Sequence, residues 1–372
     1  MFTEAKALRS ARPRLLPRLV TALDALATPH GIDRYLEWVD PTWSTRDVRA
    51  RVIEVRRQAA GSVTMTLVPN GGWTGFEAGQ YTRLSVEIDG VHQTRCYSMA
   101  SSAHRDDSFE LTVKVHAGGL VSSYLYAEAH RGMVVGLSRA EGEFVLPAVR
   151  PEGLVLISGG SGITPVLSML RTLCDEDHRG SVAFIHYSPH EAEMPYRAEL
   201  ARLSDEHPNV RVLRAFTEEP GRGELNGLFC DAHLGAADPA WRIAETYVCG
   251  PGPLMHALRA RFDREDLGKR LHTEAFTPGL PASESGPGPC GAVRFERSGI
   301  EINADGRTLL ELAEAAGLKP AHGCRMGICH TCTRRIHRGT VRDARTGMTR
   351  TVVDADLQLC VHVPGGDVSL DL

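Results

Sequence analysis

Four cysteines near the C-terminal end constrain this chain more than any other feature. They follow the pattern C-x4-C-x2-C, with one more cysteine after 27 intervening residues: Cys324, Cys329, Cys332 and Cys360. This spacing is typical of a [2Fe–2S] cluster, in which one tight loop supplies three thiolates and a distant segment supplies the fourth. A structural zinc ion is the alternative, but zinc sites usually contain two C-x2-C pairs. The pattern therefore predicts a one-electron carrier that exchanges electrons with the rest of the chain.

The length and composition favour a multidomain protein. A chain of 372 residues is too long for one ordinary hydrophobic core, so two or three domains are expected. The net charge of −4 gives no basis for nucleic-acid binding. The other five of the nine cysteines are scattered, which is typical of a reducing compartment. No apolar run approaches the ~18 residues of a membrane span, so a cytoplasmic protein is expected, with peripheral membrane association left open.

Changes in pattern divide the chain into five segments. Residues 1–46 form an arginine-rich, helix-forming extension, which either packs on the next domain or docks on a membrane or a partner. Residues 47–150 alternate apolar and polar side chains between turn signals, which predicts a small β-barrel. Residues 151–276 alternate buried strands with helices, which predicts an α/β domain with a parallel sheet. Residues 277–291 form a Pro/Gly/Ser linker, and residues 292–372 contain the cysteine motif.

A glycine-rich loop follows the first buried strand of the α/β region. It comprises Gly159, Gly160, Ser161, Gly162, Ile163, Thr164 and Pro165. Between a strand and a helix, such a loop lets backbone N–H groups hold a pyrophosphate, and proline suits the first helical turn. A tight structural turn is the alternative. Cys249, Gly250 and Pro251 end a later strand, at the sheet edge where open α/β sheets bind their ligands.

Two segments of the barrel region have the residue types that a flavin site needs. Arg95, Tyr97 and Ser98 offer a cation for a phosphate, an aromatic ring for stacking and a hydroxyl for a ring nitrogen. The segment from His116 to Ser122 precedes a predicted helix and can supply N–H groups and a hydroxyl to a second phosphate. Each segment taken alone is equally compatible with plain structure.

Together, in this order and spacing, these motifs resemble the ferredoxin–NADP⁺ reductase superfamily. The cysteine-containing tail resembles plant-type ferredoxins, and the whole resemblance covers residues 47–372. It implies an antiparallel β-barrel flavin domain, an α/β parallel-sheet nucleotide domain and a β-grasp [2Fe–2S] ferredoxin domain, preceded by the helical extension.

The resemblance also implies a role for each matched residue. Arg95 would bind the flavin phosphate, Tyr97 would stack on the isoalloxazine, and Ser98 would lie near flavin N5. Glu274 and Phe276 would lie near the flavin from the end of the nucleotide domain. The residues implied to face the flavin pyrophosphate are His116, Gly118, Gly119 and Ser122. The residues implied to hold the nicotinamide dinucleotide are Gly159, Gly160, Gly162, Thr164, Pro165, Gly250 and Pro251. Those implied to be catalytic are Ser98, Cys249 beside the nicotinamide, and Glu274.

The expected cofactors are FAD, NADPH and one [2Fe–2S] cluster. FAD is favoured over FMN because the segment from His116 to Ser122, followed by a helix, resembles the FAD-binding members. NADPH is favoured because Arg197 and Arg214, which come after the second strand of the domain, are available for a 2′-phosphate. Glu191 and Glu193 lie in the same region, so NADH stays open.

These cofactors predict an electron-transfer enzyme. A nicotinamide gives two electrons at once and a [2Fe–2S] cluster takes one, so a flavin must stand between them. The module order resembles reductase components of oxygenases and desaturases. With the helical extension, it resembles actinobacterial reductases that serve membrane-bound di-iron desaturases or hydroxylases. A Rieske oxygenase or a cytochrome P450 stays open as the partner, and a redox sensor is the alternative of another class.

Overall fold

The computed structural model describes residues 32–58, 61–105, 107–116, 118–276, 291–323, 327, 330–344 and 347–372. The predicted linker up to residue 290, Cys324, Cys329 and most of the arginine-rich extension lie outside these residues. The chain forms two compact units, one built from residues up to 249 and 261–273, and the other from 250–260 and the residues from 274 onwards. Within the described ranges, no helix is both long and apolar enough to cross a membrane.

A short helix, α1 (Ile32–Val39), precedes the first strand. Asp33 in its first turn accepts hydrogen bonds from the Thr45 backbone at 2.8 Å and from the Ser44 hydroxyl at 2.9 Å. These bonds tie the helix to the segment that enters the barrel. Trp38 and Val39 stay exposed on its other side. The predicted helical character of the extension is therefore confirmed for its last turns.

Six antiparallel strands form the predicted β-barrel, in the order β4-β3-β6-β1-β2-β5. They are β1 (Val48–Gln58), β2 (Ser62–Pro69), β3 (Tyr81–Ile88), β4 (Val91–Ser98), β5 (Phe109–Lys114) and β6 (Val134–Leu137), with helix α2 (Leu120–Glu128) between β5 and β6. A bridge between Met99 and Leu111 joins the end of β4 to β5 and closes the sheet. Alternate residues of β2, among them Val63, Met65 and Leu67, fill the barrel core.

The second domain is the predicted parallel sheet, in the order β10-β9-β8-β7-β11-β12. Its strands are β7 (Gly153–Gly159), β8 (Ser181–Ser188), β9 (Val210–Phe216), β10 (Leu225–Asn226), β11 (Glu245–Cys249) and β12 (Leu271–Glu274). Its helices are α3 (Ile163–Asp175), α4 (Arg197–Glu206), α5 (Asp231–Ala237) and α6 (Gly252–Asp263). The apolar run of β7 is buried because helices cover the faces of such a sheet.

The C-terminal domain is a five-stranded mixed sheet in the order β14-β13-β17-β15-β16. It contains β13 (Ala292–Phe295), β14 (Ile300–Asn303), helix α7 (Leu309–Ala315), β15 (Thr333–Asp343), β16 (Thr349–Gln358) and β17 (His362–Leu370). Thr308 and Glu311 form a capping box that starts α7, and Leu309, Leu310 and Leu312 bury its apolar side against the sheet. A mixed sheet that packs on one helix confirms the predicted β-grasp domain.

Candidate functional site

The parallel sheet brings together predicted residues that are far apart in the sequence. Ser158, the residue before the glycine loop, pairs with Cys249 on β11 and with His186 on β8. Cys249 is fully buried at this edge. The strand order reverses between β7 and β11, and ligands of open α/β sheets bind at such a switch point. The glycine loop and Cys249 therefore lie side by side where a nucleotide is expected.

The backbone of the glycine loop fits a pyrophosphate. Gly160 has a φ of +53°, a left-handed conformation that favours glycine, and no described atom lies within 4 Å of where its Cβ would be. Residues 160–162 form a 3₁₀ turn that runs directly into α3. Among the described residues no side chain caps the start of α3 at Gly162. The first N–H groups of the helix are thus available to an anion, and Pro165 has no N–H to leave unpaired.

Strand β4 presents the residues predicted to hold the flavin. Ser98 is buried at its end, and its Oγ has no hydrogen-bond partner within the described part of the chain. Burial raises the pKa of Tyr97 well above its usual range, so its phenol stays neutral. Arg95 donates to the Thr94 carbonyl at 2.7 Å through Nη1. A buried hydroxyl that lacks a partner is costly unless a ligand supplies one, so β4 fits a bound flavin.

The loop before α2 is closed by its own hydrogen bonds. Ser122 Oγ donates to the Gly119 carbonyl at 3.1 Å and accepts from the His116 N–H at 3.3 Å. A Cβ on Gly119 would lie 2.6 Å from Ser122 Oγ, so a larger residue does not fit there. Gly118 has a φ of +74° and open space around it. The Ser122 hydroxyl shapes this loop, while the loop and helix N–H groups fit a phosphate.

Glu274, at the end of β12, has an unusual carboxyl group. Its Oε2 is inaccessible to solvent and has no hydrogen-bond partner among the described residues. Burial raises the pKa of Glu274 to about 8, so the group is protonated at neutral pH. Phe276, the other residue predicted here, is half-buried two positions further along the chain. A buried acid of this kind is typical of a functional site.

Two of the four predicted cluster ligands are described, and they lie close together. Cys332 and Cys360 are both buried in the core of the ferredoxin domain. The N–H of Leu359 donates to the Cys332 carbonyl at 3.2 Å, which brings the second cysteine beside the first. Cys324 and Cys329 lie outside the described residues. Two buried cysteines, one from the loop and one from a distant segment that bonds to it, fit a [2Fe–2S] cluster.

An open cleft lies in front of the glycine loop. The nucleotide domain contributes Gly160, Ser161, Ile163, Thr164, Ser188, Pro189, Glu193 and Pro195 to its wall. The barrel contributes Ser62, Thr112 and Lys114. A nucleotide in this cleft would therefore contact both domains of this unit.

The chain matches three family models in order. They are described as an oxidoreductase FAD-binding domain at residues 62–146, an oxidoreductase NAD-binding domain at 156–260 and a 2Fe-2S iron-sulfur cluster binding domain at 293–364. An NADPH oxidoreductase of Mycobacterium tuberculosis is 36% identical over 353 residues, which cover 93% of this chain and 90% of that protein. The chain belongs to the ferredoxin–NADP⁺ reductase superfamily.

Other relatives agree with this membership. The glycine betaine monooxygenase reductase subunit of Pseudomonas aeruginosa is 30% identical over 319 residues, which cover 80% of this chain and 87% of that one. The structure of a phthalate dioxygenase reductase, at 24% identity and a TM-score of 0.58, covers 87% of this chain and 97% of its own and shows the same fold. This superfamily member is thus an NAD(P)H-dependent oxidoreductase with FAD and a [2Fe–2S] cluster.

None of the sequence motifs of this superfamily member includes the barrel residues that line the cleft. Ser62, Thr112 and Lys114 alternate with core residues on β2 and β5, so their pattern resembles an ordinary solvent-facing side. Lys114 Nζ lies 3.6 Å from the Glu193 carboxylate across the cleft. The sequence pattern that could have indicated this residue is a single lysine, Lys114, on the polar side of strand β5 just before the glycine turn at 118 and 119.

The two arginines predicted to hold a 2′-phosphate both meet carboxylates. Arg197 Nη1 lies 2.5 Å from Glu191 Oε1, and about half of its side chain is exposed. Arg214 Nη2 lies 2.5 Å from Glu224 Oε1. An incoming phosphate would have to compete with these carboxylates, and Arg197 is the more exposed of the two.

Proposed function

We propose that this protein transfers electrons from NADPH through FAD and its [2Fe–2S] cluster to a terminal oxygenase component. The observation that carries the proposal is the cleft whose two walls come from the flavin barrel and from the strand ends of the parallel sheet. Such a cleft lets one bound coenzyme contact both the glycine loop and the barrel, the domain that also contains the flavin residues of β4. The buried cysteine pair belongs to the same chain.

In this proposal each element has a separate task. The glycine loop binds the coenzyme pyrophosphate through its N–H groups, and Lys114 neutralises part of that charge from the barrel side. The hydroxyl of Ser98, which has no partner among the described residues, would face the flavin ring, and Tyr97 would supply a neutral aromatic face for stacking. Cys249 closes the edge of the sheet beside the nicotinamide, where its burial excludes water. FAD, when bound, supplies the exchange between two-electron and one-electron chemistry.

The partner is proposed from the relatives and from the module order. Two relatives are the reductase components of a glycine betaine monooxygenase and of a 3-ketosteroid-9-alpha-monooxygenase. A reductase of an Amycolatopsis cytochrome P450 is 30% identical with a TM-score of 0.56. These relatives support an oxygenase as the acceptor. We propose a membrane-bound di-iron desaturase or hydroxylase in particular, on the strength of the N-terminal extension, with a Rieske oxygenase or a cytochrome P450 as the second candidate.

An anaerobic titration with NADPH tests the proposed electron path. The purified protein should take up about three electrons per chain, two for the flavin and one for the cluster. Visible and electron paramagnetic resonance spectra should show both centres reduced. If NADPH reduced the flavin but never the cluster, the proposed electron path would be wrong. If the purified protein contained zinc and no acid-labile sulfide, the assignment of a [2Fe–2S] cluster would be wrong.

Replacing Arg197 with alanine is expected to weaken the use of NADPH more than that of NADH. A charge-assisted contact to the 2′-phosphate contributes ~1.5–3 kcal/mol, which corresponds to roughly 10–100-fold in kcat/KM. The measurement is kcat/KM for both coenzymes. Arg202→Ala is the matched control, because Arg202 lies on the same helix and pairs with Glu206. Equal losses for NADPH and NADH would assign Arg197 another role and leave Arg214 as the next candidate.

The raised pKa of Glu274 predicts a pH dependence of flavin reduction. With a pKa of about 8 the carboxyl is neutral at pH 7 and becomes charged as the pH rises through 8. If the neutral acid is the competent form, the limiting rate should fall by about tenfold per pH unit above that value. Glu274→Gln has a neutral side chain at every pH, so the limiting rate of this variant should not fall above pH 8. Identical profiles for the wild type and the variant would show that another group titrates.

A further inference from the structure

One side of the barrel is polar and yet buried. Every residue of β2 is buried, although its alternation predicts one solvent-facing side. Three of its polar residues pair with polar residues of β5, namely Ser62 with Lys114, Thr64 with Thr112 and Thr66 with Glu110. The nucleotide domain covers this side. Buried polar groups require hydrogen-bond partners, so the contacts that cover them are directional and specific.

Arg171 of α3 supplies the central contact with this polar side. Its Nη1 donates to Glu110 Oε2 at 2.8 Å and to the Ala100 carbonyl at 2.7 Å, both in the barrel domain. Its Nε and Nη2 donate to the two carboxylate oxygens of Glu199 on α4 at 2.7 Å and 2.6 Å. One guanidinium thus joins β5 of the barrel to two helices of the nucleotide domain.

Both members of this ion pair remain charged in the interior. Burial alone would raise the pKa of Glu110, but Arg171 and Arg56 outweigh burial and hold it below its usual range. Burial alone would lower the pKa of Arg171, but its hydrogen bond with Glu199 and the charge of Glu110 raise it. Glu110 also pairs with Arg56, and Arg171 also pairs with Glu199. Removing either partner would therefore take away one of the two counterions of a buried charge, which is unfavourable.

Tyr196 makes a second contact with the same side of the barrel. Its hydroxyl shares a hydrogen bond with Thr112, and the Arg171 guanidinium lies 5.1 Å from the centre of its ring. It has a φ of +58°, which is uncommon for a bulky side chain and persists only where surrounding contacts impose it. Pro195, the residue before it, lines the cleft.

These contacts hold the two elements that form the nucleotide side of the cleft. The glycine loop leads directly into α3, which carries Arg171. The segment that contains Glu193 and Pro195 leads into Tyr196. Both are fixed to β5, which lines the opposite wall through Thr112 and Lys114. The width of the cleft therefore depends on this set of contacts.

We propose that Glu110, Thr112, Arg171, Tyr196 and Glu199 form a domain clamp that positions the nucleotide domain on the barrel for coenzyme binding and hydride transfer. The inference rests on the proposed placement of the coenzyme in this cleft. The clamp residues are positioning residues, because they act through the cleft walls. Reacting groups that are misplaced by about 1 Å lose on the order of 100-fold in rate, so a loosened clamp should be visible in kinetics.

The test uses the holoprotein and three variants, Glu110→Gln, Arg171→Met and Tyr196→Phe. Calorimetry gives the NADP⁺ dissociation constant, and anaerobic stopped flow gives the limiting rate of flavin reduction. For Glu110→Gln and Arg171→Met we expect NADP⁺ binding weakened about 10-fold and the limiting rate lowered by on the order of 100-fold, with FAD and iron contents unchanged. Tyr196→Phe should show the same pattern with smaller changes. Amide hydrogen exchange should rise over residues 193–200.

Two control variants distinguish loss of the clamp from loss of an ion pair elsewhere and from loss of a direct coenzyme contact. Arg242→Met removes an arginine–glutamate pair with Glu265 inside the nucleotide domain and should change neither quantity. Lys114→Met should weaken NADP⁺ binding without affecting the exchange of residues 193–200. If Arg171→Met does not fold, Glu110→Gln and Tyr196→Phe, which keep their shapes, decide the question.

The clamp proposal is wrong if the clamp variants only lower the melting temperature, with NADP⁺ affinity and limiting rate within about twofold of the wild type. If Lys114→Met alone weakens NADP⁺ binding, the cleft holds the coenzyme and the clamp is wrong. If neither Lys114→Met nor the clamp variants change NADP⁺ binding, the coenzyme lies elsewhere and the proposed placement fails together with the clamp.

Discussion

Replacing Cys332 with serine is expected to abolish electron delivery to a one-electron protein acceptor while flavin reduction by NADPH continues. Cys332 is buried beside Cys360 in the ferredoxin core, where both thiols fit the cluster. Serine is a poor ligand for iron in this setting, so iron and sulfide should fall from two of each per chain towards zero. Stopped flow measures flavin reduction, and cytochrome c serves as the protein acceptor. Ferricyanide reduction should survive, because the flavin can serve it directly.

The matched control for this variant is Cys230→Ser. Cys230 is exposed at the start of α5, far in sequence from the cysteine motif. Its replacement should therefore leave both activities and the iron content unchanged. If Cys332→Ser also lost flavin reduction while its FAD content stayed normal, the order of the carriers would be wrong. Full cytochrome c reduction by a variant without iron would show that the flavin passes electrons out by itself.

Replacing Ser98 with alanine should slow flavin reduction by NADPH by roughly 10–100-fold, because one hydrogen bond that orients the reacting ring is lost. The motivation is a buried hydroxyl that no described residue satisfies. FAD content and NADP⁺ affinity should stay near those of the wild type, since the phosphates are held elsewhere. The limiting rate with NADPH and with its 4-deuterated form measures the effect.

Ser85→Ala is the matched control for Ser98→Ala, because Ser85 lies on the neighbouring strand β3. Its hydroxyl has a hydrogen-bond partner, since Ser85 Oγ accepts from Thr94 Oγ1 at 3.1 Å. It should leave the limiting rate within about twofold of the wild type. A Ser98→Ala protein with an unchanged rate and an unchanged isotope effect would show that the hydroxyl does not face the reacting ring. A loss of FAD would assign Ser98 to flavin binding instead.

Local chemistry explains which parts of the candidate site a sequence can predict. Glycines at 159, 160 and 162 between a buried strand and a helix are typical of a nucleotide-binding loop, and the structure places them at the sheet edge beside Cys249. The cysteine spacing is equally restrictive, and Cys332 and Cys360 converge as expected. In both cases the residues are close in sequence or lie at the ends of neighbouring strands, so a sequence motif is enough to predict that they lie close together.

Other features depend on contacts between distant segments and leave no local pattern. The carboxyl of Glu274 is buried only because of its surroundings, and its raised pKa follows from that burial. Lys114 resembles a surface lysine until the glycine loop is placed opposite it. The sequence predicts an Arg197 that is available to a phosphate, but its guanidinium meets Glu191 in the folded chain.

By itself the sequence determined the order of the domains, the class of each and the groups they hold, because strand alternation, glycine loops and cysteine spacing are local patterns. Only the tertiary structure decided that the polar side of β2 and β5 faces another domain. Alternation shows that a strand has an apolar and a polar side, but it does not show what covers the polar one. Glu110, Arg171 and Tyr196 are far apart in the sequence, and only folding brings their charges and hydroxyl together at the edge of the cleft.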